Sequence, residues 1–275
     1  GASHRIWKEA DTHGDVVFLN ETSELSRAHG PLVTLMAWLE CVATAWPNAE
    51  LVGKADDDVM LMLGGVAAHL HGSQAELRRI GGVGAAPPRM LWGLLESFHW
   101  DAATHRPDGF DTAYVYQKDC MQRNPQLKFT RALGPFNFAK GACFFFSSAF
   151  LPELLGPRVR AEVRAAITAA ENHTEEMARA LRRLENPDAL PWEDVLLGYA
   201  LTTSVSSTRA GGRWAAGSNL AYVHIGRHIY SEEWFTHQGL GVAPATLIMH
   251  NRRKNSESIA RAHRWMRTNH CQPPA

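Results

Sequence analysis

A short apolar run, Glu50-Leu51-Val52-Gly53-Lys54-Ala55, leads directly into three consecutive aspartates, Asp56, Asp57 and Asp58. Few features restrict a fold more. Like charges at this spacing repel and raise one another's pKa unless a positive group neutralises them. The run reads as a buried strand, so its carboxyl end must reach a place where a cation or solvent is available. In open α/β sheets that place is the crevice beyond the strand ends. A hard divalent cation takes oxygen ligands. There it can grip a diphosphate and neutralise the charge that develops as the diphosphate leaves. The plainer alternative is a solvated acidic turn with one Asp capping the next helix. By itself the cluster does not separate phosphoryl transfer from sugar transfer.

Strands and helices alternate around this turn. Val16 to Leu19 reads as a strand, and Leu32 to Trp46 carries apolar residues at helical spacing until Pro47 ends it. Val59 to Leu70 resumes an apolar pattern, a helix or strand-helix mixture. The Gly- and Pro-rich stretch Gly81 to Pro88 reads as a loop before a strand at Met90 to Leu95. Ser97 to Asn124 reads as irregular cover over a site, and Ala142 to Phe146 as a buried strand. Helices follow at Glu162 to Leu184, Trp192 to Thr202 and Ser256 to Arg267. This alternation predicts an α/β fold with a mostly parallel central sheet flanked by helices.

Composition narrows the partners. Twenty-eight basic residues balance 28 acidic ones, so no basic excess points to nucleic acid. No run of about 18 apolar residues is present, so no segment of this chain reads as a membrane span. The four cysteines, Cys41, Cys120, Cys143 and Cys271, form no CxxC pair and no disulfide framework. Two sequons, Asn20-Glu21-Thr22 and Asn172-His173-Thr174, lean towards a glycoprotein of the secretory pathway.

Four motifs stand in a definite order: Trp38-Leu39-Glu40-Cys41; Lys54-Ala55-Asp56-Asp57-Asp58-Val59; Lys140-Gly141-Ala142-Cys143-Phe144-Phe145-Phe146-Ser147; and Glu193-Asp194-Val195-Leu196-Leu197-Gly198. In that order the chain resembles the β-1,3-glycosyltransferases, which include β-1,3-galactosyl-, N-acetylglucosaminyl- and Fringe-type enzymes. The resemblance runs from about Asp15 to Gly198. It implies a single catalytic domain of GT-A fold over residues 1–275. Residues 1–140 would form mainly the nucleotide-sugar and metal half, and 141–275 mainly the acceptor and base half. It also implies a UDP-sugar donor, with galactose or N-acetylglucosamine as the sugar, Mn²⁺ or another divalent cation, and inversion at the anomeric carbon. The acceptor would be a glycan or glycoprotein. The implied location is the Golgi lumen, as a type II membrane protein whose N-terminal signal-anchor is absent from this chain.

Carried over residue by residue, Asp58 would bind the metal. Asp56 and Asp57 would line the ribose and diphosphate with Lys54, and Asp194 would be the catalytic base. The chemistry agrees independently, because inversion needs one carboxylate to take the acceptor hydroxyl's proton. Asp194 opens a helix, where the dipole favours an ionised carboxylate. Taken alone, Glu193-Asp194 reads equally as an ordinary acidic first turn. Gly141 would let backbone approach a sugar or acceptor closely, or else ease a tight strand start. The family's metal-binding histidine falls near the C-terminus, where His250 follows an apolar run; His224 and His228 are rivals. Trp100, Trp192 and Trp234 are candidates for stacking on sugar faces or for the core.

Two departures bear on the reading. Ala142 and Cys143 stand where the family carries more glycine, which bears on donor-sugar selection. The chain also begins at about His4-Arg5-Ile6-Trp7, with little room for a first strand that helps hold uracil. A catalytically silent relative that binds glycans or stabilises a partner is therefore the alternative to an active enzyme. A Mg²⁺-dependent phosphoryl-transfer enzyme is the third class, against which stands the lack of a GxxxxGK[ST] loop.

Overall fold

The computed structural model describes residues 2–13, 19, 30–82, 89–101, 106–107, 133–171, 193–207, 220–226, 230–232 and 247–250. Helix α1 (Ala2–His13) and helix α2 (Gly30–Ala45) precede strands β1 (Leu51–Ala55) and β2 (Val59–Leu61). Helix α3 (Leu63–Gly81) then leads to β3 (Arg89–Asp101), β4 (Arg106–Pro107) and β5 (Leu133–Ser147). A 3-10 turn at Ser148–Phe150 is followed by α4 (Leu151–Leu154), α5 (Pro157–Glu171) and α6 (Glu193–Ser207). Strands β6 (Leu220–His224), β7 (Tyr230–Glu232) and β8 (Ile248–His250) close the described set. Most of the expected strand at Val16–Leu19 and all of the helix at Ser256–Arg267 lie outside the described residues, as do residues 172–184 of the expected long helix.

The expectation of a mostly parallel sheet needs correction. The larger sheet runs β1-β5-β3-β4, and all of those pairings are antiparallel; β6 joins β3 in parallel. A smaller sheet, β2-β8-β7, has one antiparallel and one parallel pairing. The main physical reason is one inserted strand, β5, while the short β4 also turns back antiparallel on β3. β1 and β3 both run against β5, so they share one direction, and β6 shares it with β3. Helix-strand alternation laid down same-sense strands, but β5 lies between two of them and reverses each neighbouring pairing. β5 also unites the chain's halves, because residues 140 and 141 both lie within it.

Two apolar layers cover the sheet. Leu32, Leu35, Leu39 and Val42 recur at helical spacing on α2 and are all buried. They pack with Val195, Leu196, Leu197, Ala200 and Leu201 of α6 against Phe136, Phe138, Phe144 and Phe146 of β5. Each such aromatic contributes roughly 1.5–3 kcal/mol by leaving water. On the other face, Val66 and Leu70 of α3 join Met90, Trp92, Ala142, Cys143 and Ile248. Gly198 sets how close α6 lies to β5. A Cβ there would fall 2.4 Å from the Phe138 Cβ and 2.7 Å from the Asn137 carbonyl oxygen.

The strand expected at Met90–Leu95 is longer than its apolar core, since β3 continues through Ser97 to Asp101. Of the irregular stretch expected from Ser97, residues 102–105 and 108–124 lie outside the described set. No described helix is long and apolar enough to cross a membrane.

Candidate active site

The site is built where β1, β5 and α6 meet. β1 ends at Ala55, and one further bond from Asp56 N–H to the Ala142 carbonyl (2.9 Å) carries the pairing into the aspartates. The chain then turns, with Val59 N–H donating to the Asp56 carbonyl at 3.1 Å. Across this turn Asp57 is exposed, Asp56 half-buried and Asp58 buried to 5% exposure. The sequence pattern anticipated that strand-then-turn arrangement.

β5 is irregular at the same level. Gly93 opposes Phe144, yet Leu95 opposes Ala139, so a step of two residues on β3 (95 minus 93) spans a step of five on β5 (144 minus 139). The three extra residues form a bulge centred on Gly141 and Ala142. Both backbone groups of Gly141 turn to side chains. Its N–H donates to Asp194 Oδ2 (3.0 Å), and its carbonyl accepts from Lys54 Nζ (2.8 Å). A side chain would be tight here: a Cβ would lie 3.1 Å from Glu193 Oε1 and 3.3 Å from Asp194 Oδ2, so those carboxylates would have to shift by a few tenths of an ångström. The close approach that Gly141 permits is thus to the two acids at the start of α6.

Lys54 is the hub. Its ammonium lies 2.7 Å from Asp56 Oδ1 and 2.9 Å from Glu193 Oε1, besides the Gly141 carbonyl. Burial alone would push its pKa down, but the Glu193 and Asp56 carboxylates outweigh this and hold it above its ordinary value.

Asp194 is the most perturbed acid among the described residues. It sits in the first turn of α6 at 8% exposure, with Oδ1 accepting Val195 N–H (2.8 Å) and Oδ2 accepting Gly141 N–H. Burial, then the neighbouring Glu193 charge, raise its pKa to about 7; the two N–H groups and Lys54 oppose that rise. Each carboxylate oxygen keeps a lone pair beyond the N–H it accepts. The arrangement is therefore a held proton acceptor poised near neutrality, the range that suits a general base.

The histidines separate by strand register. His250 pairs with Val59 across β8 and β2, so its backbone lies next to the residue following Asp58. His224, at the end of β6, pairs with Gly93, and its Nδ1 accepts the Leu95 N–H at 3.1 Å. His228, Trp192 and Trp234 lie outside the described residues. Among the described residues no three His, Cys, Asp or Glu side chains gather into a metal cage. Cys143 is fully buried, and burial pushes its thiol up to about 12, while Cys41 is a half-buried free thiol.

Glu193 is the residue that reading the sequence undervalued. Its ion pair with Lys54 spans 139 positions, so no local pattern announces it. The available signal was a lysine on a strand otherwise read as apolar, two residues before an aspartate.

The α/β scaffold thus joins an acid-rich strand end to a buried, near-neutral carboxylate. Among known families, residues 2–83 match the family model described as galactosyltransferase. That match is consistent with a β-1,3-galactosyl- or N-acetylglucosaminyltransferase family and supports a glycosyltransferase. It spans α1 through α3, including the aspartate turn, and ends before Gly141 and Asp194. No curated protein matches the chain.

Proposed function

We propose that the protein is an inverting, metal-dependent glycosyltransferase of GT-A type. On this reading it moves galactose or N-acetylglucosamine from a UDP donor to a glycan or glycoprotein in β-1,3 linkage, in the Golgi lumen. The observation that carries the reading is Asp194: a buried carboxylate fixed by two N–H groups, near neutral pKa, and tied through Lys54 to the aspartate turn.

The acceptor hydroxyl oxygen attacks the anomeric carbon as the bond from that carbon to the UDP oxygen breaks. Asp194 takes the hydroxyl proton, and the bonding electron pair leaves with UDP. The bonds from Gly141 and Val195 keep the carboxylate aimed while it changes charge.

The residue types at the turn suit a divalent cation. Asp58 offers a buried carboxylate, and His250, whose backbone pairs with Val59, would add a nitrogen donor of the kind Mn²⁺ accepts. The cation would supply charge neutralisation on the departing diphosphate. Asp56 and Asp57 would face the nucleotide.

The test is Asp194→Asn assayed with UDP-sugars. UDP binding is expected to persist while turnover falls by about 10²-fold or more. A variant as active as wild type removes Asp194 from the mechanism.

A further inference from the structure

We propose that Lys54 and Glu193 form a clamp that positions the base Asp194, making Lys54 a positioning residue and not a nucleotide-holding one. The inference rests on the reading of Asp194 as base.

An ammonium has three N–H bonds to give. Lys54 has three acceptors within 2.9 Å, namely Asp56 Oδ1, the Gly141 carbonyl and Glu193 Oε1. To hold a phosphate it would have to release one of them. Its side chain is also only 18% exposed, and that of Glu193 only 20%.

What the three bonds do is mechanical. Glu193 immediately precedes Asp194, so holding its carboxylate holds the first turn of α6. Gly141, whose carbonyl Lys54 grips, gives its own N–H to Asp194. Lys54 thus secures Asp194 by two routes, one through the helix start and one through the bulge. It ties both to the aspartate turn at Asp56. A cation of this kind fixes geometry at a point where a misplacement of about 1 Å costs on the order of 10²-fold in rate.

The experiment compares Lys54→Met, Glu193→Gln, the double variant and Asp194→Asn, measuring kcat with UDP-sugar and the Kd of UDP with Mn²⁺ for each. The clamp predicts that each single variant loses at least about tenfold in kcat with UDP affinity within about threefold. The double variant should be no worse than the weaker single one, because the two residues act as a unit. Unchanged kcat in Lys54→Met overturns the clamp. So does UDP affinity weakened more than tenfold in that variant, the signature of a nucleotide-holding lysine. Additive losses in the double variant also overturn it. An Asp194→Asn variant with full activity instead refutes the base assignment itself, so the two failures are distinguishable.

Discussion

Replacing Asp194 by Asn should change how stability depends on pH. The Asp194 pKa rises from 3.8 to about 7 on folding. The folded state therefore holds a proton that the unfolded chain releases, and stability falls as pH rises between these values. The loss is about 1.4 kcal/mol per pH unit inside that window. From pH 5 to pH 8 wild type should lose about 3 kcal/mol through this one group, nearly all of it below pH 7. Asn cannot ionise, but it has one oxygen to accept two N–H groups, a pH-independent cost of about 1–2 kcal/mol. The two proteins should be about equally stable at pH 5, with the variant roughly 3 kcal/mol more stable at pH 8. Urea unfolding followed by tryptophan fluorescence, without divalent cations or nucleotide, measures both. Stability curves that stay parallel between pH 5 and pH 8 would refute the raised pKa.

Other expectations follow from the same geometry. The pH profile of kcat/KM should fall about tenfold per unit below pH 7 and level off above it, since the deprotonated Asp194 is the active form; a flat profile from pH 5 to 8 contradicts this. Gly198→Ala should destabilise the fold by about 1–3 kcal/mol or more, because the added Cβ meets backbone atoms of Asn137 and Phe138 that cannot turn aside; thermal unfolding reads it directly. Cys143 should resist thiol reagents until the protein unfolds, as a buried thiol with its pKa at about 12 forms almost no thiolate. Calorimetry should find UDP binding that requires Mn²⁺ and vanishes in Asp58→Ala, and metal-independent binding would exclude the metal site.

Much of the fold was legible where the cues are local. α2 follows from Leu32, Leu35, Leu39 and Val42 at helical spacing, and β1 from an apolar run beside the aspartates. The full length of β5 was not legible, because Asn137 interrupts its apolar pattern and Lys140 and Gly141 interrupt it again at the bulge. Nor was its placement between β1 and β3, since pairing across 88 positions leaves no periodic trace (Ala55 with Cys143, 143 minus 55). At the site, the three aspartates and Asp194 could be named from residue type and order. Their linkage through Lys54, Gly141 and Glu193 could not, because it depends on one ammonium meeting groups from three separate elements.

The measurement that tests the central claim most directly is UDP release from a panel of UDP-sugars, with and without Mn²⁺ and glycan acceptors, for wild type and Asp194→Asn. Sugar transfer from a UDP-sugar donor by wild type, abolished by chelation of the metal and by Asp194→Asn, is the result predicted. Release that ignores both the metal and Asp194, or no reaction with any UDP-sugar, would contradict it.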